Sequence, residues 1–125
     1  MNGDRCPFCN FDGKWVAEGH SFTALLDRFP VAKGHTLVIP KLHVSDFFDL
    51  EASALAELMP FVGSVVAVLK ESFEFEGYNL GVNGGAVAGQ TVDHAHLHII
   101  PRYVGDSDDP RGGVRNIFPD KARYW

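Results

Sequence analysis

The stretch DHAHLHII, residues 93–100, places histidines at 94, 96 and 98. In a strand, side chains at i, i+2 and i+4 share one face. His94, His96 and His98 therefore point one way, and Ala95, Leu97 and Ile99 point the other way, into a core. Neighbouring histidines on that face lie about 6.5–7 Å apart. Two ligands so spaced can converge on one metal with bonds of about 2 Å, whereas three from one straight strand would be strained. Unpaired imidazoles are also costly to bury. The alternation predicts a strand that carries chemistry, by phosphate or by metal.

Outward from this strand, residues 83–90 (NGGAVAGQ) form a glycine-rich loop. Gly84, Gly85 and Gly89 let backbone amides approach an anion closely, and such nests bind phosphate. Tyr78, Leu80 and Val82 alternate with Asn79, Gly81 and Asn83, a strand signal. Between about 50 and 73 the period changes. Leu55, Leu58, Val62, Val65 and Leu69 step by three and four, which predicts one long helix, bent or split at Pro60 and stopped near Gly77. Residues 35–40 (HTLVIP) read as a central strand ended by Pro40, and 15–18 and 21–26 as short strands with a turn at 19–20. The histidine strand ends at Pro101, and a tail of about 103–125 shows little periodicity. The expected fold is α+β: one domain over 1–125, with an antiparallel sheet of about five strands and one long helix packed on it.

The bulk numbers narrow the function. A chain of 125 residues suits one domain. A formal charge of −5 argues against a nucleic-acid or anionic-membrane binder, while leaving room for a small phosphate ligand in a locally positive pocket. No apolar run approaches the roughly 20 residues of a membrane span. The segment MNGDRCPFCNFDGKW lacks the basic and apolar regions of a signal peptide. A cytoplasmic protein is expected. Cys6 and Cys9 form C-x-x-C, half a tetrahedral zinc site within a segment of about 1–14. A redox dithiol and bystander thiols are the competing readings, the former weakened by the lack of a βαβ pattern after the motif.

GQTVDHAHLHIIPRY (89–103) resembles the signature of the histidine triad family. KGHTLVIPKLH (33–43) is similar to that family's upstream strand, CPFC to its N-terminal zinc half-site, and GYNLGVNGG (77–85) to the strand and loop before the triad. The tail DPRGGVRNIFPDKARYW resembles that of bacterial members related to dinucleoside polyphosphate hydrolases. The resemblance implies that the middle histidine, His96, attacks the α-phosphate of a nucleotide, and that water then releases a nucleoside monophosphate. A neutral imidazole is a competent nucleophile near pH 7. It implies that His98 and His35 serve the phosphate oxygens, and that Gln90 and Thr91 contact phosphate and leaving group. Asn83 and Gly89 would position the phosphate end, Asp27 would bind ribose, and Leu26 and Phe22 would form part of the base pocket. It further implies structural zinc on Cys6, Cys9, His43 and His94, an adenine nucleotide as ligand, and a homodimer.

Plainer readings stand beside these. Asp27 with Arg28 reads equally as a solvated turn pair, Asn83 as a left-handed turn residue, His35 as a strand-edge residue and Arg102 as a surface ion-pair residue. His20 receives no role. Asp93 departs from the apolar residue common in relatives and would orient His94 only by reaching round the strand. Two other functions compete with the nucleotidyl-histidine reading: a hydrolase with catalytic zinc on the triad, and a non-catalytic nucleotide-binding module.

Overall fold

A computed structural model describes residues 5–125; the first four residues of the N-terminal segment lie outside the described residues. Five strands form one open antiparallel sheet in the order β1-β2-β3-β5-β4. They are β1 (Ala17–Glu18), β2 (Phe22–Leu26), β3 (Thr36–Pro40), β4 (Gly77–Val82) and β5 (Leu97–Arg102). β2 and β3 are joined by the loop 27–35 and pair from Phe22↔Pro40 to Leu26↔Thr36. β5 is the inner strand, flanked by β3 through Thr36↔Ile99 to Val38↔Leu97 and by β4 along its whole length.

The helical region divides into α1 (Ala52–Leu55) and α2 (Leu58–Ser72). The break falls at 56–57, ahead of Pro60. Pro60 is the third residue of α2. First-turn amides have no partner within the helix, so the missing donor costs nothing there. The helix stops well before Gly77, at Phe73, whose extended backbone (φ −131°) still donates to the Leu69 carbonyl. Gly77 instead begins β4.

Contrary to the expectation from the sequence, the stretch Ala52–Ser72 is, by length and composition, long and apolar enough to span a membrane. Its buried stripe of Val62, Val65 and Leu69 packs with Phe22, Ala24, Val38, Leu97 and Ile99 of the sheet. Each such large apolar side chain contributes about 1.5–3 kcal/mol when fully buried. The opposite face carries a smaller cluster, Leu25, Leu37 and Ile39, covered by Phe8, Phe11 and Trp15.

One departure concerns proline. β5 runs through Pro101 to Arg102. Proline is tolerated there because β3 has left the ladder after Ile99, so no inner neighbour needs its amide. Gly34 turns the chain into β3 at φ +84°, where a Cβ would meet the Phe73 ring at 3.0 Å. The tail forms two short 3-10 turns, Gly113–Ile117 and Pro119–Lys121. Arg111 lies 4.5 Å from the Trp125 ring and Arg115 lies 5.1 Å from the Tyr124 ring, folding the tail on itself.

Candidate functional site

The sheet separates the core from the chemistry. Ala95, Leu97 and Ile99 enter the helix-side core, and the three histidines take the other face. The regular ladder begins only at Leu97, however, so His94 and His96 precede the strand that the alternation predicted to contain them. Both flanking ladders end at Leu97, against Val38 and Val82. Upstream, Ala95 donates to the Val44 carbonyl at 2.7 Å. Freed from the ladder, His94 turns toward the N-terminal segment, while His96 and His98 remain edge to face with ring centroids 5.2 Å apart.

The hydrogen bonds assign the tautomers. His96 Nδ1–H donates to the His94 carbonyl at 2.8 Å, which leaves the Nε2 lone pair free. His35 Nδ1 accepts from the Val31 amide at 3.1 Å, so its proton sits on Nε2. That proton donates to His98 Nδ1 at 2.9 Å, and the proton of neutral His98 then sits on Nε2. His35 Nε2 also faces Asp27 Oδ2 at 3.4 Å, while Asp27 Oδ1 accepts from the Phe29 amide at 2.8 Å. Asp27 is therefore tied to His35 rather than to Arg28, whose nearest charged partner is Asp12 at 3.5 Å.

His35, His96 and His98 line one cavity of about 420 Å³, together with Asp27, Asn83, Gly89 and Thr91. Seven of the predicted residues thus converge, and three do not. Phe22 is buried in the core behind the sheet, and Leu26 lies half-exposed, outside the lining. Strand parity is the reason: Leu25 faces the cavity, so its neighbours on β2 face away. Gln90 is spent on the loop. Its Oε1 accepts from the Gly85 amide at 2.9 Å, and its Nε2 donates to the Ser45 and Val92 carbonyls. Arg102 is bound bidentate by Asp106 and by Asn79, so it behaves as an ion-pair residue. The residues the sequence reading missed are the apolar walls, including Phe8, Phe11, Leu25, Phe29, Val31 and Leu37.

Beside the cavity, Cys6, Cys9, His43 and His94 bring four donor atoms within 4.8 Å of one another. His43 Nδ1 and His94 Nδ1 are 3.0 Å apart; Cys9 Sγ lies 3.1 Å from the first, and Cys6 Sγ lies 3.3 Å from the second. A tetrahedral zinc site, with bonds of about 2.0–2.3 Å, has edges of about 3.3–3.8 Å. The set therefore fits such an ion closely. His94 Nε2–H donates to the Pro40 carbonyl at 2.9 Å, which leaves Nδ1 as the ligand atom. Asp27, His35 and His98 form a second group of metal-capable atoms. There the amide-bound Nδ1 of His35 keeps its Nε2 protonated, which opposes coordination.

Burial holds His35, His94 and His98 below the ordinary histidine pKa. Asp27 partly offsets this for His35 and His98, the Pro40 carbonyl does so for His94, and neighbouring imidazoles depress His94 and His98 further. Below about pH 6.5 the unfolded chain binds protons that the folded protein refuses, so stability is complete above that pH and falls below it. Melting curves of metal-free protein should show Tm dropping from pH 7 to pH 5 and staying flat from pH 7 to pH 8. In His35→Gln the acid slope should be shallower. An acid slope unchanged by that substitution would remove His35 from the account.

A family model described as HIT domain matches residues 10–105. An uncharacterized HIT-like protein of Methanocaldococcus jannaschii is 42% identical over 123 residues, covering 94% of this chain and 95% of that protein. A protein of Mycobacterium tuberculosis named AP-4-A phosphorylase is 37% identical over 98 residues, covering 78% of this chain and 50% of that protein. Among solved structures, a zinc-bound histidine triad family protein from Mycobacterium smegmatis superposes with a TM-score of 0.75 at 34% identity, covering 85% of this chain and 81% of that one.

Proposed function

We propose, since the chain belongs to the HIT domain family, that it is a nucleotidyl hydrolase or transferase acting through His96. Its substrate is a dinucleoside polyphosphate or an adenosine phosphoramidate. His96 Nε2 attacks the α-phosphorus, the bond from phosphorus to the leaving oxygen or nitrogen breaks with its electron pair going to that atom, and an amine leaving group takes a proton from solvent, which the water of the second step gives back. Water then attacks the nucleotidyl-imidazole, which releases the nucleoside monophosphate and restores neutral His96. The observation that carries this reading is the bond from His96 Nδ1–H to the His94 carbonyl, because it leaves the nucleophilic lone pair on Nε2 of a cavity-lining residue.

The remaining residues divide the work by position. His98 Nε2–H supplies a donor for the phosphate oxygens as charge builds on them. His35 holds that tautomer from behind. Thr91, Gly89 and Asn83 border the phosphate end, and Asp27 receives the ribose. Leu25, Phe8 and Phe11 face the base. Zinc, held by Cys6, Cys9, His43 and His94, supplies a structural cross-link and no chemistry to the reaction. The zinc-bound relative supports that choice of metal, and the relative named AP-4-A phosphorylase supports the polyphosphate substrate. A homodimer fits the exposed Ile117, Phe118 and Tyr124 of the tail.

The direct test is mass spectrometry of enzyme quenched during turnover of a panel of adenylated substrates. The expected result is one added AMP on the peptide containing His96. Adduct on another residue would move the nucleophile away from His96, and AMP release without adduct and with immediate chelator sensitivity would favour catalytic metal. Tight AMP binding with no turnover on any substrate would favour a non-catalytic binding module.

The same cavity makes a packing prediction. Leu25→Ala should weaken AMP binding by roughly tenfold, because it removes an apolar wall. Leu26→Ala should leave both affinity and stability nearly unchanged, within about 0.5 kcal/mol for a surface position. Titration calorimetry on the pair checks this. Equal effects of the two would mean that β2 does not present Leu25 to the ligand.

A further inference from the structure

We propose that the Cys6/Cys9/His43/His94 cluster sets the affinity of the neighbouring cavity: a metal ion there holds Phe8 as a wall of the nucleotide pocket, so metal and nucleotide bind with positive cooperativity. This rests on the nucleotide reading of the cavity and on metal binding by the four donors.

Phe8 stands between the two cysteines of the cluster. Its ring meets His94 at 5.7 Å between centroids and 81° between planes, and His96 at 5.2 Å and 66°. It therefore touches one metal-ligating imidazole and the nucleophile at once. Pro7, Phe8 and Phe11 also line the cavity itself. With Trp15, Phe8 and Phe11 cover Leu25, Leu37 and Ile39 on the outer face of the sheet.

The segment's own bonds fold it on itself. Asn10 N–H donates to the Cys6 carbonyl at 3.1 Å, and Phe11 N–H donates to the Phe8 carbonyl at 3.4 Å. Cys6 and Cys9 carry this small turn to His94 and His43, residues anchored beyond it in the fold. An ion bonded to all four fixes both ends of the dipeptide Pro7-Phe8. Without the ion, two imidazole nitrogens 3.0 Å apart and two nearby thiols have little reason to stay converged, and the Phe8 wall loses its support. The nucleotide then must itself order that wall as it binds, and the lost ordering free energy appears as weaker affinity.

Linkage makes the coupling reciprocal: the factor by which metal raises nucleotide affinity is the factor by which nucleotide raises metal affinity. We expect about tenfold in each direction, within the usual range for coupled sites. Two measurements on the full chain test it. AMP affinity is read by calorimetry with zinc-loaded and with chelator-stripped protein, the fold being checked by circular dichroism. Zinc affinity is read by competition with a chromophoric chelator, with and without saturating AMP. In Phe8→Ala both dependences should vanish, while the four donors remain and zinc still binds.

AMP binding equally tightly with and without zinc would overturn the coupling and leave the nucleotide reading standing. A zinc affinity raised by AMP to the same extent in the parent and in Phe8→Ala would overturn the proposal differently, by removing Phe8 from the coupling. Should stripping unfold the protein, the difference between the parent and Phe8→Ala in how far AMP raises zinc affinity still decides, because unfolding of the metal-free form enters both alike. No AMP binding in either state would overturn the functional reading, and this inference with it. No zinc uptake would overturn the metal premise.

Discussion

His96→Ala should lose turnover by on the order of 10⁴–10⁶-fold in kcat, the scale of removing a covalent nucleophile that acts within a concerted set of groups. The loss should fall on kcat, with AMP affinity kept within a few-fold. The Nε2 lone pair does work only when a bond to phosphorus forms, whereas the ground-state complex is held by the cavity walls and the donors around it. The fold should survive. His96 lies on the outer face, its ring resting on Phe8 and His98, and the helix-side core does not include it. His98→Ala should cost less, because it removes one donor from the phosphate; loss of a single such donor costs about 10²–10³-fold. Single-turnover kinetics, AMP titration and thermal melts on the two variants give the comparison. A His96→Ala enzyme within tenfold of the parent would dismiss the nucleotidyl-histidine mechanism.

The second large effect is on stability. Cys9→Ser should lower Tm by roughly 15 °C. A metal ion on the four-donor cluster would join residues 6 and 9 to 43 and 94, closing loops of up to most of the chain. By analogy with a disulfide across a loop of that length, the link is worth about 4 kcal/mol. At this size each kcal/mol moves Tm by about 4 °C. Cys9 is the cleaner choice because it is exposed, whereas Cys6 is fully buried and its replacement would disturb packing as well. The protein should nevertheless stay folded near 20 °C, because the helix-side core has no buried member before Phe22. Chelator should lower the parent's Tm to the variant's value and leave the variant where it is. A Tm indifferent to both the substitution and the chelator would show that no cross-link is present.

Much of this arrangement was legible in the residue pattern. The i, i+2 alternation of 94–99 placed histidines and core on opposite faces, and it holds even where the ladder has not begun. Cys6, Cys9, His43 and His94 converge as the resemblance implied. The failures have different physical causes. Phe22 and Leu26 were assigned without knowing which side of β2 the cavity would occupy, and parity excluded both. Gln90 has a polar side chain near the phosphate end, but three backbone groups of its own loop and of Ser45 claim it first. Phe8, Phe11, Phe29 and Val31 reach the cavity from loops, where no periodicity marks an inward face. Pro60 was read as a break because proline inside a run usually is one; its harmless position was decided by where the first turn began.

The sheet has one further consequence, for how such a protein can change over generations. Its helix side carries the larger core and its histidine side lines the cavity over a smaller one, and a single strand contributes alternate residues to both. Neighbouring codons of β2 and β3 therefore answer to different selection. Leu25 or Leu37 can change and reshape the cavity wall while Ala24 and Val38 stay constrained by the helix, and the helix can be repacked while the cavity keeps its shape. Novelty in substrate and persistence of the scaffold become nearly independent traits.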